Sequence, residues 1–200
     1  MSLIKFEHNN KSWGIVRNQK CASTSILSYI ANALWNAQVN EIQSYKTFNE
    51  NAPGVYIKQN NFKDYQHELS KCDVRIAIWR DPVDKFLSGY YHTMFSPTGA
   101  QDQLWIGPKT LDEFLKNYAY YIANSMNVRD HCVSNTCRLG SDRKFYTHIF
   151  EYKTADAVAI MLGINKFVKH RAQKKHTVNI EQENKIKKIL KEDYTNGWCQ

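Results

Sequence analysis

Six residues, Val74-Arg75-Ile76-Ala77-Ile78-Trp79, followed at once by Arg80-Asp81-Pro82, constrain this chain more than any other stretch. The run is apolar at nearly every position, the pattern of a strand covered on both faces, and such strands belong to parallel sheets flanked by helices. Asp81 predicts a helix N-cap and Pro82 the first helical residue. Behind them Val83, Phe86, Leu87, Tyr90, Tyr91 and Met94 recur at helical spacing. A buried strand running straight into an amphipathic helix is the repeating unit of α/β proteins.

The rest of the chain reads the same way. Trp13 to Arg17 predicts a short strand, and from Ser23 a helix carries Ile26, Leu27, Ile30 and Leu34 on one face. Gly54 to Lys58 reads as a strand between these two units. Thr110-x-x-Glu113 is a capping box for a helix with Leu111, Phe114, Leu115, Tyr118 and Ile122 inward. Phe145 to Tyr152 is a further strand, and Thr154 caps a helix that Gly163 ends. A last helix from about Ile180 carries Ile186, Ile189 and Leu190. Ser96 to Lys109 and Phe167 to Val178 read as loops, and Met1-Ser2-Leu3 carry no expectation. The expected fold is α/β: one domain over residues 1–200, three-layered, with a mostly parallel central sheet flanked by helices.

A chain of 200 residues buries about 70% of its unfolded surface and needs no metal or disulfide staple. Its five cysteines are scattered, with no C-x-x-C, and its seven histidines form no paired ligand motif; free thiols in a reducing, cytoplasmic compartment and no metal are expected. No secretory leader and no apolar run of about 20 residues is present, so a soluble protein without a membrane span is expected. Lys plus Arg (27) against Asp plus Glu (19) leaves a formal charge of +8, which suits a phosphorylated, sulfated or polyanionic partner.

Two strand-to-helix turns gather the residue types that hold such a partner. The first is Lys20-Cys21-Ala22-Ser23-Thr24-Ser25. A helix N-terminus offers unpaired N–H groups and partial positive charge. Small residues there let an anion approach, three hydroxyls donate to it, and Lys20 adds a mobile cation. The turn is P-loop-like in its physics but lacks G-x-x-x-x-G-K-[ST], so an ordinary ATP or GTP site is not indicated. The second turn runs from Arg80 to Tyr90. Arg80 stands at the carboxyl end of the central strand, where open α/β sheets bind ligands, and its planar fork grips phosphate bidentately. Ser88 lies two helical turns on, away from the Phe86/Leu87 stripe. An ion pair with Asp81 or Asp84 is the plain structural alternative for Arg80.

Together, in order and about 60 residues apart, K-C-A-S-T-S-I and W-R-D-P-V-D-K-F-L-S-G-Y-Y resemble the two nucleotide motifs of the sulfotransferases that use 3′-phosphoadenosine 5′-phosphosulfate, PAPS. The first loop looks more like the carbohydrate branch than the small-phenol branch. The resemblance covers residues 13–95 and thins over the acceptor-side and closing elements of 96–200. It implies that Lys20 bridges the sulfuryl group and the leaving 5′-phosphate. Cys21, Ala22, Ser23, Thr24 and Ser25 would line the 5′-phosphate loop, and Arg80 and Ser88 would hold the 3′-phosphate. The implied reaction moves a sulfuryl group from PAPS to an acceptor hydroxyl, on a carbohydrate or small molecule, with no metal.

The sequence departs from the family over the general base. Relatives place a His or Glu on the strand between the two motifs, and Gly54 to Lys58 carries neither. His131, in Asn127-x-x-x-His131, ranks first as the base, with Lys58, His92 and His67 as alternatives. Glu151 in H-I-F-E-Y and the basic stretch Lys166 to Lys175 correspond loosely to later family elements, and Trp105 is the aromatic expected to face an acceptor. A nucleotide kinase with a P-loop-like turn and a non-catalytic basic nucleic-acid binder are the alternatives; the missing G-K-[ST] and the dispersed basic residues count against them.

Overall fold

The computed structural model describes residues 2–21, 30, 34, 55–58, 61–95, 110–164 and 177–199. The chain opens with a hairpin, β1 (Ser2–His8) antiparallel to β2 (Lys11–Arg17). Its two-residue turn is Asn9-Asn10, with φ of 51° and 57°. Two successive left-handed residues make the turn whose twist matches a hairpin, and asparagine tolerates that backbone. Sequence reading began the sheet at Trp13 and assigned nothing to the first residues, yet Leu3 is fully buried in β1.

Three more strands complete a five-stranded sheet in the order β3-β1-β2-β4-β5. These are β3 (Val55–Lys58), β4 (Val74–Trp79) and β5 (His148–Glu151). β2, β4 and β5 pair in parallel, and β3 pairs antiparallel to β1, so four strands run one way and β1 alone opposes them. The fold is thus mixed α/β, as the sequence predicts, but two of the four strand pairings are antiparallel, because the β1–β2 hairpin inserts β1 into the sheet. β5 begins later than read: Arg143–Phe145 is a 3-10 turn ahead of it.

Side chains alternate across the sheet as strand geometry requires. Ile4, Phe6, Trp13, Ile15, Val74, Ile76 and Ile78 face one core, with helical residues Ile30 and Leu34 and with Val158 and Leu162. Leu3, Val16, Ala77 and Trp79 face another, closed by Tyr65, Leu69, Leu139, Tyr146 and Trp198. Helices therefore cover both faces. On the second face lie α1 (Phe62–Ser70), between β3 and β4, and later α6 (Asn135–Leu139).

After β4 comes α2 (Pro82–Phe95). Asp81 caps it as predicted, its carboxylate accepting from the Asp84 amide at 2.9 Å. Val83, Phe86, Leu87 and Tyr90 bury against α3 (Leu111–Lys116), α4 (Tyr118–Asn124), α5 (Met126–His131) and α8 (Ile180–Ile189), forming a third, all-helical core. The helix expected over Thr110 to Ile122 is two pieces, because Asn117 leaves helical geometry at φ −110°, ψ 21°. Thr110 still caps the first, accepting from the Glu113 amide at 3.2 Å.

Thr154 does not cap the helix it precedes; its hydroxyl donates to the Glu151 carbonyl at 3.0 Å, and α7 (Asp156–Met161) starts from Ala155 without a side-chain cap. Gly163, at φ 71°, follows α7 as a helix-ending glycine should. α9 (Lys191–Thr195) closes the described chain. All five cysteines are free thiols. Among the described residues no helix is long and apolar enough to cross a membrane.

Candidate functional site

Strand order creates the site. From β2 the chain goes to β3, beyond β1; from β3 it returns to β4, on the opposite side of β2. The turns leaving β2 and β4 therefore diverge from adjacent parallel strands. Such a switch point is where open α/β sheets leave a crevice at the carboxyl ends of the strands. Lys20 follows β2, Arg80 follows β4, and Tyr152 follows β5 at this edge.

Lys20 has φ of 63°, the left-handed conformation that costs an ordinary L residue roughly 1–2 kcal/mol. Its carbonyl accepts a hydrogen bond from Arg80 Nη1 at 3.3 Å, which ties the two turns together. Burial, with the Arg80 charge behind it and partly offset by Cys132, lowers the Lys20 amine to about 8. Among the described residues it makes no ion pair.

Arg80 is 4% exposed. Its guanidinium carbon lies 4.8 Å from the centre of the Tyr152 ring, and one Nη approaches the exposed Asp84 carboxylate only to 4.0 Å. Arg80 Nε is buried and has no hydrogen-bond partner among the described residues. A buried cation with an unsatisfied donor is costly unless an anion completes it. The ion pair with Asp84 is present but long and half in water, so it leaves that donor unmet.

A buried amide clamp sets the spacing of the two turns. Asn135, fully buried at the start of α6, donates to the Arg80 carbonyl at 2.9 Å and accepts from Asn18 Nδ2 at 2.8 Å. Asn18 also donates to the Ile78 carbonyl at 3.4 Å. The buried Asp193 carboxylate holds α6 itself, accepting from the amides of Asn135 at 2.8 Å and Thr136 at 2.7 Å. Sequence reading missed Asn18, Asn135 and Asp193, since three polar residues 58 to 117 positions apart form no motif.

Two histidines feel the Lys20 charge. His92 on α2 and His131 at the end of α5 meet edge to face, ring centres 4.6 Å apart. Burial first, and then the Lys20 charge, lower both; His131 falls to about 2, with His92, Lys85 and Arg138 adding to the effect. His131 Nδ1 is buried without a partner. Gly89 allows this approach: a Cβ there would sit 2.3 Å from the His131 carbonyl oxygen.

The structure thus brings together Lys20, Arg80, His92 and His131. Ser88, half-buried on α2, lies one turn from Asp84 and one from His92. Cys21 turns its side chain into the core, 1% exposed, and burial pushes its thiol up to about 12; its amide already bonds the Asn18 carbonyl at 3.3 Å. Lys85 of the second motif is buried and donates to the Val133 carbonyl. His67 is exposed on α1, apart from this cluster. Lys58 ends β3, which β1 separates from β2, a distance of about 10 Å at ordinary strand spacing. Ala22, Ser23, Thr24, Ser25, Trp105, the Lys58 side chain and the basic stretch 166–175 lie outside the described residues.

Comparison with protein-family models, curated proteins and solved structures finds no match to this chain. Function rests on the geometry of the site.

Proposed function

We propose that the crevice binds a nucleotide carrying phosphate at both the 5′ and 3′ positions, and that the chain is a PAPS-dependent sulfotransferase of P-loop-like fold acting on a hydroxyl, with a carbohydrate as the favoured acceptor. The observation that carries this reading is the pairing of Lys20 with Arg80. The turns that follow two adjacent parallel strands each carry a cation and are tied together, Arg80 Nη1 donating to the Lys20 carbonyl at 3.3 Å, and the buried Arg80 keeps its Nε donor unmet among the described residues. A ligand with two anionic ends would satisfy both cations. Arg80 and Ser88 would take the 3′-phosphate, and Lys20 the 5′ end, with Ser23, Thr24 and Ser25 as the further donors the sequence motif implies.

PAPS supplies an activated sulfuryl group when bound. Lys20, protonated below about 8, stabilises negative charge developing on the leaving 5′-phosphate oxygen. Arg80 holds the remote end and orients the donor, so binding energy distant from the reacting centre is used for alignment. The acceptor proton requires a base near Lys20, and the His92/His131 pair is the neutral imidazole source there.

Thermal melts with PAPS, adenosine 3′,5′-bisphosphate (PAP), ATP and AMP test the reading. Ligand at 100 times its dissociation constant adds about 2.7 kcal/mol, a shift of several degrees at this chain length. PAPS and PAP should shift the melt and AMP should not. Equal shifts with ATP and PAP, or no shift with any nucleotide, would overturn it.

A further inference from the structure

The geometry points to His92 as the group that takes the acceptor's proton, with His131 as a positioning residue that holds its ring. This rests on the sulfotransferase reading above and names a residue that the order of the motifs alone does not select. The inserted β1 moves β3 away from β2, so the strand between the motifs does not flank Lys20. A base must come from another element, and α2 supplies one. Residues 84, 88 and 92 follow one another at single-turn spacing along α2. Arg80 reaches toward the first, Ser88 is the second, and His92 is the third, its ring edge-on to His131 at 4.6 Å and its imidazole under the influence of the Lys20 charge.

His131 is unsuited to the same task. Its Nδ1 is enclosed without a partner among the described residues, and burial first, then the Lys20 charge, lower its imidazole to about 2. A ring that so resists protonation is a poor proton acceptor. It is a good wall: it meets the His92 ring at 4.6 Å and 71°, and its backbone is pressed against Gly89, one turn below His92. The charged and titratable groups facing the pair are Lys20 from the first turn, Lys85 from α2 and Arg138 from α6, all cationic, together with the Cys132 thiol, which burial keeps protonated by raising it to about 12. His92 is half-buried and lowered from the ordinary imidazole value, first by burial and then by Lys20, so it is neutral and ready to accept at neutral pH.

In the step, the acceptor oxygen forms its bond to sulfur as the bond from sulfur to the 5′-phosphate oxygen breaks. The electron pair of the broken bond stays on that phosphate oxygen beside Lys20. The acceptor's proton passes to His92 and then to water.

The test uses the full chain, radiolabelled PAPS and a panel of neutral cello-, chito- and malto-oligosaccharides, with PAP affinity measured separately by calorimetry. His92→Gln keeps a polar side chain but cannot take the proton. It should bind PAP within about threefold of wild type, lose roughly 100-fold or more in kcat, and lose the acid limb of the pH profile. His131→Gln should lower kcat less and shift that limb without removing it. His92→Gln with normal PAP binding, near-normal kcat and an intact acid limb would overturn the inference while leaving the nucleotide reading standing. His131→Gln removing the limb while His92→Gln keeps it would move the role to His131. A wild-type chain that binds no PAP and transfers no sulfuryl group to the panel would overturn both.

Discussion

Removing the Asn135 side chain should loosen the two ligand turns from each other and destabilise the fold by an amount the hydrogen bonds predict. In Asn135→Ala the Arg80 carbonyl loses its 2.9 Å donor and Asn18 Nδ2 its 2.8 Å acceptor, in a region where Asn18 is 1% and Asn135 0% exposed. A buried polar group left without a partner costs about 1–3 kcal/mol. Asn18 keeps its 3.4 Å bond to the Ile78 carbonyl, so its share falls at the low end. The sum is about 2–4 kcal/mol, or a fall in Tm of roughly 5–15 °C for a chain of this size. Urea denaturation monitored by tryptophan fluorescence measures the first figure and a thermal melt the second. PAP affinity, measured where the variant is still folded, should weaken as well. Asn135→Asp should be no better, because it keeps an acceptor for Asn18 but sets a carboxylate against the Arg80 carbonyl and near Asp193. A loss below about 0.5 kcal/mol, within the ordinary surface range, would refute the clamp.

Binding of PAP should weaken as pH rises through about 8, because the Lys20 amine loses the charge that attracts the 5′-phosphate. At pH 9 about one tenth of it is protonated, so the loss approaches tenfold; Lys20→Met should remove this dependence, and an affinity flat from pH 7 to 9.5 in the wild type would contradict the role. Gly89→Ala would ordinarily gain up to about 1 kcal/mol of helix propensity. Here the new methyl meets the His131 carbonyl at 2.3 Å, a backbone atom that cannot swing aside, so overpacking of about 1–3 kcal/mol wins. A variant as stable as wild type in urea would show that α2 and α5 are not in this contact.

The elements that hold the sheet were legible because each carried a local physical signal. Val74 to Trp79 is apolar enough to demand two covered faces, and Asp81-Pro82 is both cap and first turn, so β4 and α2 appear where the pattern places them. Thr110 likewise signals the start of α3. Asn9-Asn10 is an equally local signal: two residues able to take positive φ, between alternating side chains, specify the β1–β2 hairpin. Other features were hidden because they exist only after folding. Whether Asn117 breaks a helix depends on packing around Phe114 and Tyr121, and Thr154 prefers the Glu151 carbonyl to the cap it was expected to make. At the candidate site, Lys20 and Arg80 stand at turns leaving adjacent parallel strands, and that placement is local enough to be read from the sequence. The pairing of His92 with His131 spans 39 positions and depends on a glycine contact between two helices, which no spacing encodes.

The central claim is that Arg80 reads a 3′-phosphate. Isothermal titration of wild type and Arg80→Ala with PAP and with AMP, at one pH and ionic strength, isolates that contact as a double difference. Charge-assisted hydrogen bonds of about 1.5–3 kcal/mol predict a loss of roughly 10- to 100-fold for PAP. For AMP, which lacks the 3′-phosphate, the same substitution should change affinity by less than about threefold. Equal losses for both nucleotides, or a wild type that binds PAP no better than AMP, would contradict the account.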